Sequence, residues 1–445
     1  MSTMNPQQLD AYNAFTQFNA NPESSLFCLF GAAGTGKSFT SGRFLDVINE
    51  NRGPLDEILW LAPTWKAVRV AGRFLSDNGL TNYEVGYDYY FHRPGRLILT
   101  TTQQALGIRP MIGEEEQDDR KVKFGKLDRG VIQKLRPAFV VIDEVSMLSW
   151  QHLKDIVAAV KSFGGKVLII GDPNQLPPVN AQEIKWDRLS NRYELTQIMR
   201  QSGDSAIPHF GRTVIEGGAW HDMTGPGLRK VTKAVDAFLG EVGVPSANEE
   251  ERDVFVGYRN RTVDAVQEAA CQKVYGHDAE TFEAGEVVIA QSAFHVHRQG
   301  MVVANQDQLE ILEVTGKGVW GETALVRNLA GRKVLVEYLS GRDQNDRNNP
   351  WNVRLEQLRG QAMDLQKAYK SDRSVDKARR AAWTAFFEHK DQTVLDFAHP
   401  FAITSHKSQG SSYRRAFIAA DEIADFSPKR GLYVAATRPK EELVL

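Results

Sequence analysis

The segment Gly31-Ala32-Ala33-Gly34-Thr35-Gly36-Lys37-Ser38 leaves the chain little choice of fold. A loop spaced G-x-x-x-x-G-K-[ST] needs a buried strand before it and a helix after it, so that its backbone N–H groups turn inward together. Both flanks are present. Residues 26–30 form an apolar run that reads as a buried strand, and residues 38–49 read as a helix. Residues Gly31 to Ser38 therefore predict a phosphate cradle. Lys37 reaches the β- and γ-phosphates, and Ser38 offers its hydroxyl to Mg²⁺.

Two further segments supply chemistry that the loop lacks. The β-branched run 137–142 reads as a parallel strand, and it delivers Asp143 and Glu144 to its carboxyl end. There Asp143 can hold Mg²⁺ opposite Ser38, while Glu144 orients and deprotonates a water for attack on the γ-phosphate. A third strand, 166–170, leads into Gly171-Asp172-Pro173-Asn174-Gln175. Gln175 sits in that turn, where a neutral amide can touch the γ-phosphate or the water without adding negative charge.

Composition narrows the rest. With 445 residues and ordinary apolar and charged fractions, the chain can build two or more cores. No apolar run reaches membrane-spanning length, and the polar start Met1-Ser2-Thr3-Met4 does not read as a signal peptide. Two distant cysteines, Cys28 and Cys271, suggest neither disulfide framework nor zinc site, so a reducing cytosol is expected. A net charge of −2 argues against broad coating of duplex nucleic acid. A locally basic groove remains compatible with it.

The expected fold class is α/β, with a phosphate-loop domain and a second α/β domain carrying one insertion each. Domain 1 covers 1–105 and 129–190, interrupted at 106–128 by a hairpin with arms 106–112 and 121–126 around an acidic tip. The stretch from 77 to 136 is read as leaving the sheet pattern. Domain 2 covers 191–283 and 400–445. Between them, 284–399 holds short strands with Gly-rich turns, read as a small antiparallel barrel, followed by charged helices at 354–370 and 376–389.

The second half has its own candidates. Residues 195–201 and 432–438 carry Arg200 and Arg438, and an arginine from a neighbouring domain can stabilise a transferring phosphoryl group. Residues 404–411 gather Thr404, His406, Lys407 and Gly410 at a strand-to-loop junction, a composition able to grip a nucleic-acid backbone.

Taken in order, these motifs resemble those of superfamily 1 helicases, in the branch that includes RecD and the Dda helicase of T-even phages. The resemblance implies two RecA-like domains that close on ATP and Mg²⁺ while single-stranded DNA runs across both, with movement 5′ to 3′. It implies adenine reading by Gln8 and DNA contact by Pro63, Thr64, Thr404, His406 and Lys407, while Trp65, standing where the family usually has a small residue or histidine, is open to two readings, stacking on a DNA base and packing in the core. It also implies arginine fingers at Arg200 and Arg438 and a nucleotide-side position for Gly410. The hairpin resembles a strand-splitting pin, with Phe124 expected to meet the fork, and the barrel resembles a domain that covers the bound strand. Thr101-Thr102-Gln103 stands where the family often has Thr-Ile-His. The expected partners are single-stranded and forked duplex DNA, with single-strand-binding protein or replisome components besides. The expected form is a cytoplasmic monomer, in the host cytoplasm if phage-encoded. Two other readings share these motifs: a translocase that strips bound proteins, and an ATP-switch subunit of a recombination complex.

Overall fold

The computed structural model describes residues 4–50, 57–77, 83–85, 97–111, 123–126, 130–199, 205–292, 294–296, 300–340, 343 and 346–445. The chain forms two compact units. The first comprises 1–234, 256–258 and 404–445, and the second 235–255 and 259–403. Among the described residues, no helix is long and apolar enough to cross a membrane.

The first unit opens with helix α1 (Pro6–Ala20) and strand β1 (Leu26–Gly31), and α2 (Lys37–Glu50) follows the phosphate loop. Then come β2 (Ile58–Ala62), α3 (Trp65–Asp77), β3 (Tyr83–Val85) and β4 (Leu97–Thr101). The hairpin strands are β5 (Ile108–Met111) and β6 (Lys123–Lys126), and the sheet resumes with β7 (Phe139–Ile142), β8 (Lys166–Gly171) and β9 (Arg192–Leu195). The large sheet runs β3-β4-β2-β7-β8-β1-β9, and all of its pairs are parallel. Its central strands are buried on both faces, which is why they read as unbroken apolar runs. This order sets the carboxyl ends of β7, β8 and β1 side by side, so Asp143, Asp172 and the phosphate loop emerge along one edge.

Two sequence expectations about this sheet need correction. The stretch 77–136 does contain sheet: Leu97-Ile98-Leu99 of β4 is buried beside β2, and β3 pairs outside it. The neighbouring tyrosine-rich segment obscured that pattern. Arg192–Leu195, assigned to the second domain, is instead the edge strand beside β1. An edge strand with mostly solvated side chains reads like a loop in sequence.

The hairpin arms pair antiparallel, with Pro110 opposite Phe124. The acidic tip and residues 112–122 lie outside the described residues. Elsewhere in the first unit, Leu228–Arg229, Pro439–Val444 and Tyr413–Ile418 form a parallel set. Val256 and Gly257 extend it, since Ala419 N–H donates to Val256 O and Ser405 N–H donates to Gly257 O.

Asn5 starts α1 with a reciprocal cap: its side chain accepts from Gln8 N–H at 2.8 Å, and its own N–H donates to Gln8 Oε1 at 3.0 Å. We expect Asn5→Ala to lower unfolding free energy by about 1 kcal/mol. Denaturant titration checks this, and an unchanged midpoint would contradict it.

The second unit contains a closed barrel of Val287–Ala290, Gln308–Lys317, Glu322–Asn328, Lys333–Leu339 and Leu395–Ala398. Val288, Leu309, Ile311, Val326, Val336 and Phe397 fill its core. The barrel is not wholly antiparallel. The chain leaves for the helices Pro350–Ala368 and Asp376–Gln392 and returns as a closing strand parallel to Lys333–Leu339. Two successive strands that run in the same direction need a crossover of about a dozen residues or more, which these two helices supply.

Candidate functional site

The phosphate loop turns through left-handed backbone at Gly34 (φ 82°) and Gly36 (φ 83°), conformations that suit glycine. Gly31 must also be small, because a Cβ there would lie 2.6 Å from Leu195 O of the adjacent edge strand. Thr35 is buried and donates its hydroxyl to Ala32 O at 2.9 Å, bracing the loop from within. Lys37 Nζ donates to Gly31 O at 2.7 Å and Ala32 O at 2.9 Å. The ammonium is thus held within the loop it is expected to serve. Ser38 is exposed at the start of α2.

Asp143 follows β7. Its N–H donates to Leu61 O at 2.8 Å, and its Oδ1 accepts from Glu144 N–H at 2.8 Å. Burial, and then the adjacent Glu144 carboxylate, push its carboxyl up to about 7, against the pull of that N–H and Lys37. Glu144 has φ 49°, a left-handed conformation rare for a residue with a side chain. Its Oε2 is buried without a hydrogen-bond partner, as is Oε1 of Gln175. Unpaired buried oxygens are costly unless something enters to meet them. A cation and a polarised water are species that this set of donors and acceptors fits.

Gln175 sits in the turn after β8 and is 3 % exposed. Its N–H donates to Asp172 O at 3.1 Å, and Asp172 Oδ1 accepts from Asn174 N–H at 3.0 Å. Gln8 is likewise buried, with its amide against Gly36. Its cap to Asn5 orients it there. Neighbouring Gln7 reaches the segment after β9, accepting from Thr196 N–H at 3.1 Å and Gln197 N–H at 3.0 Å. Met199 N–H donates to Gly34 O at 2.7 Å, bringing that segment onto the loop.

The expected arginine fingers fare differently. Arg200 lies outside the described residues. Arg438 is 3 % exposed and turned inward: Nε donates to Val434 O at 2.8 Å, Nη1 to Ser411 O at 3.2 Å and Nη2 to Thr437 Oγ1 at 2.9 Å. In this arrangement its donors hold the helix Arg430–Ala436 to the Ser411 loop.

The side chain from that helix that touches the phosphate loop is Tyr433, which belongs to the 432–438 segment whose chemistry the sequence assigns to Arg438. Its hydroxyl accepts from Ala33 N–H at 3.1 Å and donates to Asp172 Oδ2 at 2.7 Å. The segment was a candidate by sequence, but the tyrosine's own role is revealed only by its two hydrogen bonds.

The candidate DNA-contacting residues fall in two loops. Pro63 is buried after β2, and exposed Thr64 accepts from Ala67 N–H at 3.2 Å, opening α3. Trp65 is half-buried and packs against the core beneath the sheet. In the second loop, buried Thr404 accepts from Lys407 N–H at 3.3 Å, and Lys407 is exposed. His406 lies edge-on to Tyr258 at 5.4 Å, and burial lowers its imidazole pKa. Gly410 is left-handed at φ 75°. Lys66 Nζ donates to Ser411 Oγ, tying the two loops together. Gln409 Nε2 donates to Leu176 O at 3.3 Å, tying the second loop to the Gln175 turn.

A family model described as an AAA domain matches residues 3–219, and one described as a UvrD-like helicase C-terminal domain matches residues 399–445. The uncharacterized protein R530 of Acanthamoeba polyphaga mimivirus is 21% identical, with 98% of each chain covered. The ATP-dependent RecD2 DNA helicase of Deinococcus radiodurans is 28% identical over 44% of this chain and 23% of that protein. The present chain thus spans about a quarter of that relative's length. Bacteroides Pif1 bound to single-stranded DNA has a similar fold, with TM-score 0.54 and 15% identity, covering 100% of this chain and 92% of that one.

Proposed function

We propose that this chain, which belongs to the superfamily 1 helicases of the RecD/Pif1 type, is an ATP-driven motor that moves 5′ to 3′ on single-stranded DNA and unwinds duplex. The observation that carries the reading is the pair of unpartnered buried oxygens on Glu144 and Gln175, in the unit that also holds the left-handed phosphate loop. The family binds nucleotide with a divalent metal. In this reading the nucleotide is ATP, and the Ser38 hydroxyl and Asp143 carboxylate would hold Mg²⁺. When bound, the ion offsets negative charge on the phosphate oxygens.

The protein's own groups would divide the remaining work. Lys37 and the loop N–H groups bind the phosphates. Gln175 orients a water, and Glu144 takes its proton as the water oxygen bonds to the γ-phosphorus. The bond to the bridging oxygen breaks, and ADP leaves with the electron pair. Gln8 reads adenine, and Arg200 and Arg438 complete the charge stabilisation. For Arg438 this requires release from Val434, Ser411 and Thr437.

Thr64 and Trp65 in the first loop, with Thr404, His406 and Lys407 in the second, would carry the DNA strand. Because Lys66 and Gln409 link these loops to each other and to the Gln175 turn, a strand lying on them bears directly on the hydrolytic site. The hairpin β5–β6, with Phe124 in its second arm, would split the fork.

The test uses duplexes with a 5′ or a 3′ single-stranded tail, with and without ATP. We expect ATP-dependent unwinding of the 5′-tailed duplex at a rate at least about tenfold above the 3′-tailed one. Preference for the 3′ tail would overturn the polarity. DNA-stimulated hydrolysis without unwinding of either duplex would favour a translocase that displaces bound proteins.

A further inference from the structure

We propose that Tyr433 is a positioning residue for hydrolysis, whose hydroxyl fastens the phosphate loop to the turn that carries Gln175. The inference rests on the reading of this site as an ATP-hydrolysing one and adds a residue to it.

The ring is 3 % exposed, and the helix Ile207–Glu216 backs it: a Cβ at Gly211 would lie 3.5 Å away. Burial, and then the Asp172 carboxylate, raise the phenol far above its ordinary pKa, so the hydroxyl keeps its proton. Its two bonds therefore have one sense only. The O–H donates to Asp172, and an oxygen lone pair accepts from Ala33 N–H.

Asp172 is fully buried and organises its turn from both ends of its own residue. One carboxylate oxygen takes Asn174 N–H and the other takes the Tyr433 hydroxyl, while its carbonyl takes Gln175 N–H. A single phenol thus spans two loops that leave different strands, β1 and β8. The pairing of β1 with β8 runs to Phe30 opposite Gly171, and beyond that pair the phenol links Ala33 to the Gln175 turn. Tyr433 also lines, with Ala32, Ala33, Asn174 and Thr196, a cavity of about 250 Å³ beside the loop.

The consequence is specific. Losing the hydroxyl should leave the phosphate loop able to bind nucleotide but should misplace the amide that orients water. Tyr433→Phe keeps the ring and its packing, and Asp172→Asn keeps the turn's shape while weakening the acceptor. In the full-length protein with saturating single-stranded DNA, we expect Tyr433→Phe to lower kcat about 10–100-fold, with KM changed less than about twofold. Binding of a fluorescent ADP analogue should stay near wild type. The double variant should lose little more than the worse single variant, as expected of two groups in one linkage. Wild-type kcat in Tyr433→Phe would overturn the proposal, as would losses that multiply in the double variant. Equal loss of kcat and ADP affinity would overturn it too, by assigning Tyr433 to folding of the loop. If the wild-type protein neither binds the analogue nor hydrolyses ATP, the failure lies with the site's reading as an ATPase.

Discussion

Glu144→Gln should reduce steady-state ATP hydrolysis by about 10²–10⁴-fold, the contribution of a positioned general base, while nucleotide still binds. The substitution keeps the side chain's length and shape. It should also preserve the left-handed backbone at φ 49°, because glutamine meets the same steric limits as glutamate there. What changes is the oxygen that takes the proton, and Oε2 of Glu144 is buried with no competing donor among the described residues. Asp143 is the alternative base. Its Oδ1 already accepts from Glu144 N–H at 2.8 Å, which commits that oxygen to the turn. Phosphate release and binding of a fluorescent ATP analogue, measured together, decide the matter. Turnover within a factor of about three of wild type would transfer the base's role to another group.

Lys37→Ala should be comparably severe but through another route. Here affinity for ATP should fall as well, and kcat should drop by about 10²–10³-fold, as for loss of one charge-stabilising donor. The ammonium donates to Gly31 O and Ala32 O, so removing it takes a cation from the site and two donors from the loop's own carbonyls. The second loss loosens the loop even before nucleotide arrives. A binding titration separates this variant from Glu144→Gln: affinity falls in the first and survives in the second. Unchanged affinity in Lys37→Ala would mean that the loop N–H groups alone hold the phosphates.

Much of the first unit was legible because parallel strands are buried on both faces and must be continuously apolar. Leu26–Gly31, Phe139–Ile142 and Lys166–Gly171 each announced themselves so, and each delivers a motif at its carboxyl end. Where burial is one-sided or the strand is brief, the signal failed. Arg192–Leu195 is an edge strand with exposed polar residues, and Tyr83–Val85 is too short to show a period. The barrel's first four strands were visible as short apolar runs between Gly-rich turns. Its closure by Leu395–Ala398 was not, because pairing depends on where the two preceding helices return the chain.

By itself the sequence determined the chemistry available: a phosphate loop with its lysine, an acidic pair at a strand end, a glutamine turn and the motif order of a helicase. These are local patterns, readable because each is set by neighbours within a few residues. The tertiary structure alone decided which groups meet. It turned Arg438 inward onto Ser411 and Val434, tied Lys66 to Ser411, and set the Tyr433 hydroxyl between Ala33 and Asp172. Residues 33, 172 and 433 have no spacing in common. The pairing of β1 with β8 brings 33 and 172 side by side, and the packing of helix Arg430–Ala436 adds 433, neither of which a local pattern encodes.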